Sequence, residues 1–309
     1  ARDGGPLTAF RMDLLDARFV DARVPGGAVS TATLRGTVEI GAHPRAWDMT
    51  LDNAVLDLRS LRVLSPALIP AMPAFDGILT ARGVIRSADL DAVELTNIGL
   101  TWTDAVGNVS VVRGDLRAWY GGAAADAPTV TADLQLDPLS LRAFARVDST
   151  LPIRGDIAGR VTLDGSTDAM RWTAVLGASG GPVAVVGSNT KASGRTVSMD
   201  GTAALSSAAW QVTANGTLDQ FDLRQWMGRT DVPSTAVDGT VTLAVRGPRT
   251  ADGISAADNA ALSRIEGRLT GDWRQTASAE RPAFDMLGSV SLGPERLQID
   301  SATAHLGGV

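Results

Sequence analysis

Few residue constellations in this chain could carry out a reaction. Gly177-Ala178-Ser179-Gly180-Gly181 has the G-x-S-x-G spacing of a nucleophile elbow, where a serine on a strand-to-helix turn attacks an acyl group with help from a histidine. Gly180, Gly181 and Pro182 oppose the helix that the elbow needs, and the histidine downstream is His305. A glycine turn between strands is the expectation. His43 and His305 are the two histidines, far apart and without ligand-like neighbours, whereas a zinc site takes three or four ligands. Asp89, Asp91 and Glu94 could suggest calcium, but the glycine of the binding loop is missing, and they read as a solvated strand end. The absence of Cys excludes thiolate sites, disulfides and cysteine nucleophiles within these residues. There is no P-loop or dinucleotide fingerprint. Asn108 and Asn215 open N-x-S/T triplets, which are common by chance. The expectation is a protein that is no enzyme and holds no metal or cofactor.

Composition points elsewhere. The 309 residues are 44% hydrophobic and 20% charged, so the chain folds, in one continuous array or two ordinary domains. The 33 glycines beside one Tyr and six Phe suit many short strands and turns better than a compact catalytic core. Net charge is −6 and Lys and Arg form no run, which argues against a nucleic-acid partner. Residue 1 is Ala, and neither a signal peptide nor a spanning helix is visible. An internal segment of a longer chain is expected, with any membrane anchor outside it.

The elements are strands. Apolar and polar residues alternate through Phe10, Met12 and Leu14, through Ile98, Leu100 and Trp102, and through Val130, Ala132, Leu134 and Leu136. The pattern returns at Trp172, Ala174 and Leu176, at Val197 to Leu205, at Val241, Leu243 and Val245, and at Ile265 to Trp273. Period two places one face of each strand in an apolar environment and the other in water. Short strands joined by Gly, Asp and Asn breaks predict an antiparallel meander.

A longer period overlies the short one. Thr131 to Asp137 recurs as Thr213 to Asp219 (213 − 131 = 82), and at the same shift Leu141-Arg142 matches Leu223-Arg224 and Gly165 matches Gly247. Upstream, Phe75, Gly77, Leu79 and Gly83 match Ile157, Gly159, Val161 and Gly165, while Leu58-Arg59 is displaced by one residue. Approximate repeats are 48–128, 129–210 and 211–309, in one array spanning 1–309. Each carries one short amphipathic helix, predicted near 57–65, 138–146 and 220–228. Asp137 is read as an N-cap before Pro138, with Leu141, Phe144 and Ala145 on one face, and Asp219 opens the equivalent element.

An apolar helix, a proline-containing link and a glycine-punctuated strand recur together. They read Leu58-Arg59-Ser60-Leu61 to Pro70, Pro73 and Phe75 to Gly83, then Leu151-Pro152-Ile153 to Gly165. With the tail Leu297 to Gly308, this resembles the TamB and AsmA-like envelope proteins of Gram-negative bacteria. The match covers most of the chain through loose patterns and no invariant motif, and the copy ending at Gly247 departs from it, with Gly239 two residues before the expected Val241. The resemblance implies a long curved β-sheet folded into a trough with an apolar lining. It also implies a periplasmic protein anchored in the inner membrane by an amino-terminal helix outside this segment. Phospholipid passage between the two membranes, outer-membrane assembly and a partner in that assembly follow from the same resemblance. No catalytic residues belong to the family.

The feature with chemical content is therefore the apolar stripe. It could be the filled core of a structural or adhesive surface β-repeat. Against that, a sandwich domain closes at about 100 residues with its own boundaries, and stripe residues such as Ala132, Ala174, Gly201, Ala203 and Gly267 are small enough to leave room. The fold class expected is all-β: an elongated antiparallel array curved into a groove. Leu79, Ala81, Val161, Leu163, Leu243 and Val245 are the expected lining, at equivalent places in three repeats, and phospholipid acyl chains are the expected cargo.

Overall fold

The computed structural model describes residues 9–19, 29–39, 46–59, 76–87, 92–119, 127–147, 154–179, 195–205, 209–248, 266–277, 282–293 and 296–307. Within them the chain runs through fifteen strands. These are β1 (Ala9–Phe19), β2 (Ser30–Glu39), β3 (Trp47–Asp57), β4 (Ile78–Ser87), β5 (Ala92–Thr103), β6 (Val109–Trp119), β7 (Thr129–Ser140) and β8 (Asp156–Ser166). They continue as β9 (Ala169–Ala178), β10 (Thr196–Leu205), β11 (Ala209–Phe221), β12 (Val237–Pro248), β13 (Glu266–Gln275), β14 (Phe284–Gly293) and β15 (Arg296–Leu306). Every strand pairs antiparallel with its sequence neighbour, so the sheet order is the chain order, and β1 and β15 form the two edges of one open sheet. This is the all-β meander that the alternation predicts.

The sheet is bent. Eight of the fourteen strand pairs contain a bulge or register shift, which adds a residue to one strand, sharpens the local twist and curves the sheet. At two bulges the extra residue takes a left-handed conformation, Asn97 at φ 53° and Gln220 at φ 48°. In each case an aspartate on the neighbouring strand accepts its backbone N–H at 2.8 Å: Asp115 for Asn97 and Asp238 for Gln220. The first bulge moves the apolar row of β1 from Met12 to Leu15, so the predicted Leu14 is not its continuation.

Helices follow the first strand of each four-strand unit. Leu58 and Arg59 are helical after β3, and the rest of that predicted helix lies outside the described residues. Helix α1 (Leu141–Val147) follows β7, and α2 (Leu223–Met227) follows β11. The expected caps were three residues early. Asp137 and Pro138 still belong to β7, at its bulge, and Asp219 to β11. The residues before the helices are Asp57, Ser140 and Asp222, all nearly excluded from water. Asp222 Oδ1 accepts the Arg224 N–H at 3.1 Å, and Asp57 Oδ1 accepts the Arg59 N–H at 3.0 Å. Gly228 ends α2 at φ 61° as a left-handed C-cap.

The same anchors fix the true repeat. Leu58 N–H donates to Gly77 O and Leu141 N–H to Gly155 O, each at 3.1 Å. Gly77 thus corresponds to Gly155, an offset of 78, while Leu58 and Leu141 are 83 apart. The upstream copy carries a longer link between helix and strand, not a single insertion. Downstream, the bulges pair Leu136 with Gly159 and Leu218 with Gly239, so β8 and β12 are offset by 239 − 159 = 80. Gly239 is therefore in register with Gly159. A Cβ on either would lie 2.0–2.1 Å from a carbonyl oxygen of the next strand, which accounts for glycine at both places.

Candidate functional site

Direct pairing carries one face of the sheet across all fifteen strands without a charged residue. One row runs Ala17, Ala32, Ala54, Ala81 and Leu100 to Val112, Leu136 and Gly159. It continues through Leu176, Val197, Leu218, Gly239, Trp273, Met286 and Ala304. A second, parallel row passes from Met12 through Ile85, Leu95, Leu116 and Ala132 to Leu163, then Trp172, Gly201, Ala214, Leu243, Leu269 and Ile299.

The opposite face is polar. Arg160 Nε donates to Asp133 Oδ1 at 2.7 Å, Arg246 to Glu266 at 2.9 Å and Arg35 to Asp52 at 2.8 Å, each across adjacent strands. The Arg160 hydrogen bond holds the Asp133 carboxyl below its ordinary value against a smaller opposing effect of burial. These exposed pairs are worth little singly, ~0–1 kcal/mol. They do give the two faces opposite character. Open clefts of about 470 and 320 Å³ lie on this polar side over β3 to β7, walled by Arg82, Arg113, Arg117, Asp115 and Asp133.

The apolar face is only partly covered. Its small residues are buried, with Ala132, Ala174 and Ala214 between 2% and 7% exposed. Its large ones divide: Leu136, Ile157 and Val197, near the rim that carries the helices, are 6–8% exposed, whereas Leu134, Val161, Leu163, Leu243, Val245 and Leu269 are half-buried. Among the described residues the largest side chains under 2% exposure are Asp57 and Ser140, neither of them apolar. A filled two-layer core would instead bury its leucines and valines fully. The indole rings lie down on glycine floors. Trp273 occupies the space where Gly271 would carry a Cβ (2.2 Å), and Trp210 does the same at Gly247 (2.5 Å), which keeps the floor low.

All six predicted lining residues lie on this face, in a different register from the expected one. Leu163 and Leu243 share a row, since both sit in the chain of partners through Trp172, Gly201 and Ala214. Val161 shares its row with Val241, not with Leu243, and Val245 sits level with Gly165. Ala81 lies in the row of Gly159, and Leu79 one step nearer the helices, opposite Leu56 and Trp102.

The helices and their caps line one long rim of the sheet. Asp104 closes the β5–β6 turn: its carboxylate accepts from the Val106 N–H (3.0 Å), the Asn108 N–H (2.8 Å), Asn108 Nδ2 (2.8 Å) and Arg146 Nη1 (2.9 Å). Burial raises the pKa of this carboxyl, but the four hydrogen bonds together outweigh it and hold the group below the ordinary 3.8. Nothing in the sequence pattern marked Asp104 or Arg146, because their pairing spans 42 residues.

The residues whose types could do chemistry are scattered. Ser179 extends the end of β9, its N–H donating to Asp156 O at 2.6 Å, and His305 is exposed on β15, six strands away. Glu94 pairs with Arg117 on β6. His43, Asp89, Asp91 and Gly180–Pro182 lie outside the described residues. Among the described residues no group of His, Cys, Asp or Glu could hold a metal, and no helix is long and apolar enough to cross a membrane. No family model matches this chain, and no curated protein or solved structure matches it either.

Proposed function

We propose that this chain is a non-enzymatic segment of a lipid-carrying protein, and that the apolar face of the sheet is the path of phospholipid acyl chains. One observation carries the reading: apolar rows that cross all fifteen strands without a charge, and whose leucines and valines away from the helix rim, Val161, Leu163, Leu243 and Val245 among them, are half-buried and not enclosed. Apolar surface of this extent lowers its free energy when hydrocarbon covers it, by ~0.8 kcal/mol per buried methylene. The rows are continuous, so a chain moving along them exchanges one apolar contact for another and meets no charge. The polar face, laced with cross-strand ion pairs, suits contact with water.

The resemblance to TamB and AsmA-like proteins supplies the setting of this proposal: the periplasm, an inner-membrane anchor outside this segment, and work with an outer-membrane assembly protein. Recovery of phospholipid with the purified protein, measured by mass spectrometry, tests it. Stoichiometric phospholipid is the expected result. A lipid-free protein whose apolar face resists hydrophobic dyes would favour a structural β-repeat with a filled core.

A further inference from the structure

Both α1 and α2 reach back three strands. The α1 helix follows β7, yet Arg146 near its end donates to Asp104 in the β5–β6 turn and, through Nη2 at 3.3 Å, to Asp76 just before β4. Asp76 is itself placed by the Trp102 indole N–H, which donates to its backbone oxygen at 2.8 Å. The α2 helix follows β11 and touches Arg154 and Gly155, just before β8: Gly155 N–H donates to Trp226 O at 2.9 Å. The two docks are equivalent in place and different in chemistry. The counterpart of Arg146 is Gly228 (228 − 146 = 82), whose added Cβ would lie 2.8 Å from Arg154 O. The α1 helix adds a charged fork to its backbone bond and to its buried Ala143 and Ala145 (1% and 8% exposed); the α2 helix, which buries no residue, docks by backbone contact.

A seven-residue helix does not persist by its own hydrogen bonds, so its tertiary anchors decide whether it stays docked. At its start α1 is tied by the Leu141–Gly155 bond and by Arg142 Nε donating to Arg154 O at 3.1 Å. Toward its end the polar anchor is the Arg146 fork. Asp104 keeps three further donors of its own, from Val106 and Asn108, so its turn does not depend on Arg146.

We propose that α1 is a flap hinged at Ser140 and latched by Arg146 to Asp76 and Asp104, free to lift from the rim over β4–β7 while the sheet beneath stays folded. The α2 helix, docked without a charged fork, is the internal control. The test is hydrogen exchange and thermal unfolding of the full chain carrying Arg146→Ala. Exchange in the last turn of α1 should rise by about tenfold or more. The amides of Val106 and Asn108, the strands β4–β7 and helix α2 should keep their protection, with the unfolding temperature little changed. Unaltered exchange in α1 would overturn the latch. Joint loss of protection in α1 and β4–β7 with a lowered unfolding temperature would overturn the flap, and make Arg146 a staple of the sheet.

Discussion

Gly159 shows how tightly one position can be set. Its φ of 149° is rarely adopted by other residues, and a Cβ there would lie 2.0 Å from the Val175 carbonyl oxygen. Backbone cannot yield as a flexible side chain does. Gly159→Ala should therefore cost at least ~1 kcal/mol and loosen hydrogen exchange across β7–β9. Gly107, also at positive φ (91°) but with open space around it, should lose less on the same substitution. At Asp104 the sign is set by a lowered pKa. Its contribution is present above the ordinary carboxylate value of 3.8 and is lost as pH falls through the lower native value. Asp104→Asn should destabilise the β5–β6 turn at pH 7, and the gap between variant and parent should narrow as pH falls below 3.8, as followed by hydrogen exchange of Val106 and Asn108.

At the scale of the element, Asp222 joins α2 to the link that follows it. Besides capping Arg224, its carboxylate accepts from Ser234 Oγ and the Thr235 N–H, both at 3.1 Å. Asp222→Ala should cost about 1 kcal/mol from the cap alone, and should raise exchange in residues 223–235 while β11 and β12 keep theirs. Strands and helices were legible in the sequence because period two and a Leu-rich turn every ~82 residues are local signals. Two helix starts were misplaced because the aspartates read as caps serve bulges: Asp137-Pro138, a common opening for a helix, lies at the bulge of β7, and Asp219 at that of β11. The repeat register slipped because links between helix and strand differ in length. The 82-residue spacing holds from β7 to β11, becomes 80 from β8 to β12 and 78 from β4 to β8. A backbone bulge flips no pattern of residue types, so neither Gly239 nor Leu15 could be placed from sequence alone. The latch of Arg146 joins residues 42 and 70 apart and leaves no periodic trace.

Over the whole molecule, one sheet with contacts between successive strands resembles a one-dimensional array, in which damage stays local. That property makes a groove residue a clean probe. Leu163 is half-buried on the apolar face between Ala132 and Trp172, near the middle of the sheet. A charge placed there meets no partner on its own face, and an acyl chain lying over it would leave that charge unpaired in hydrocarbon, which is costly. Were the face a filled core, the same charge would unfold the repeat. The decisive measurement is Leu163→Asp in the full-length protein, with co-purified phospholipid quantified by mass spectrometry and β7–β9 protection by hydrogen exchange. Retained protection with lost phospholipid is the predicted result; lost protection, or unchanged lipid on an intact sheet, would contradict an acyl path along this face.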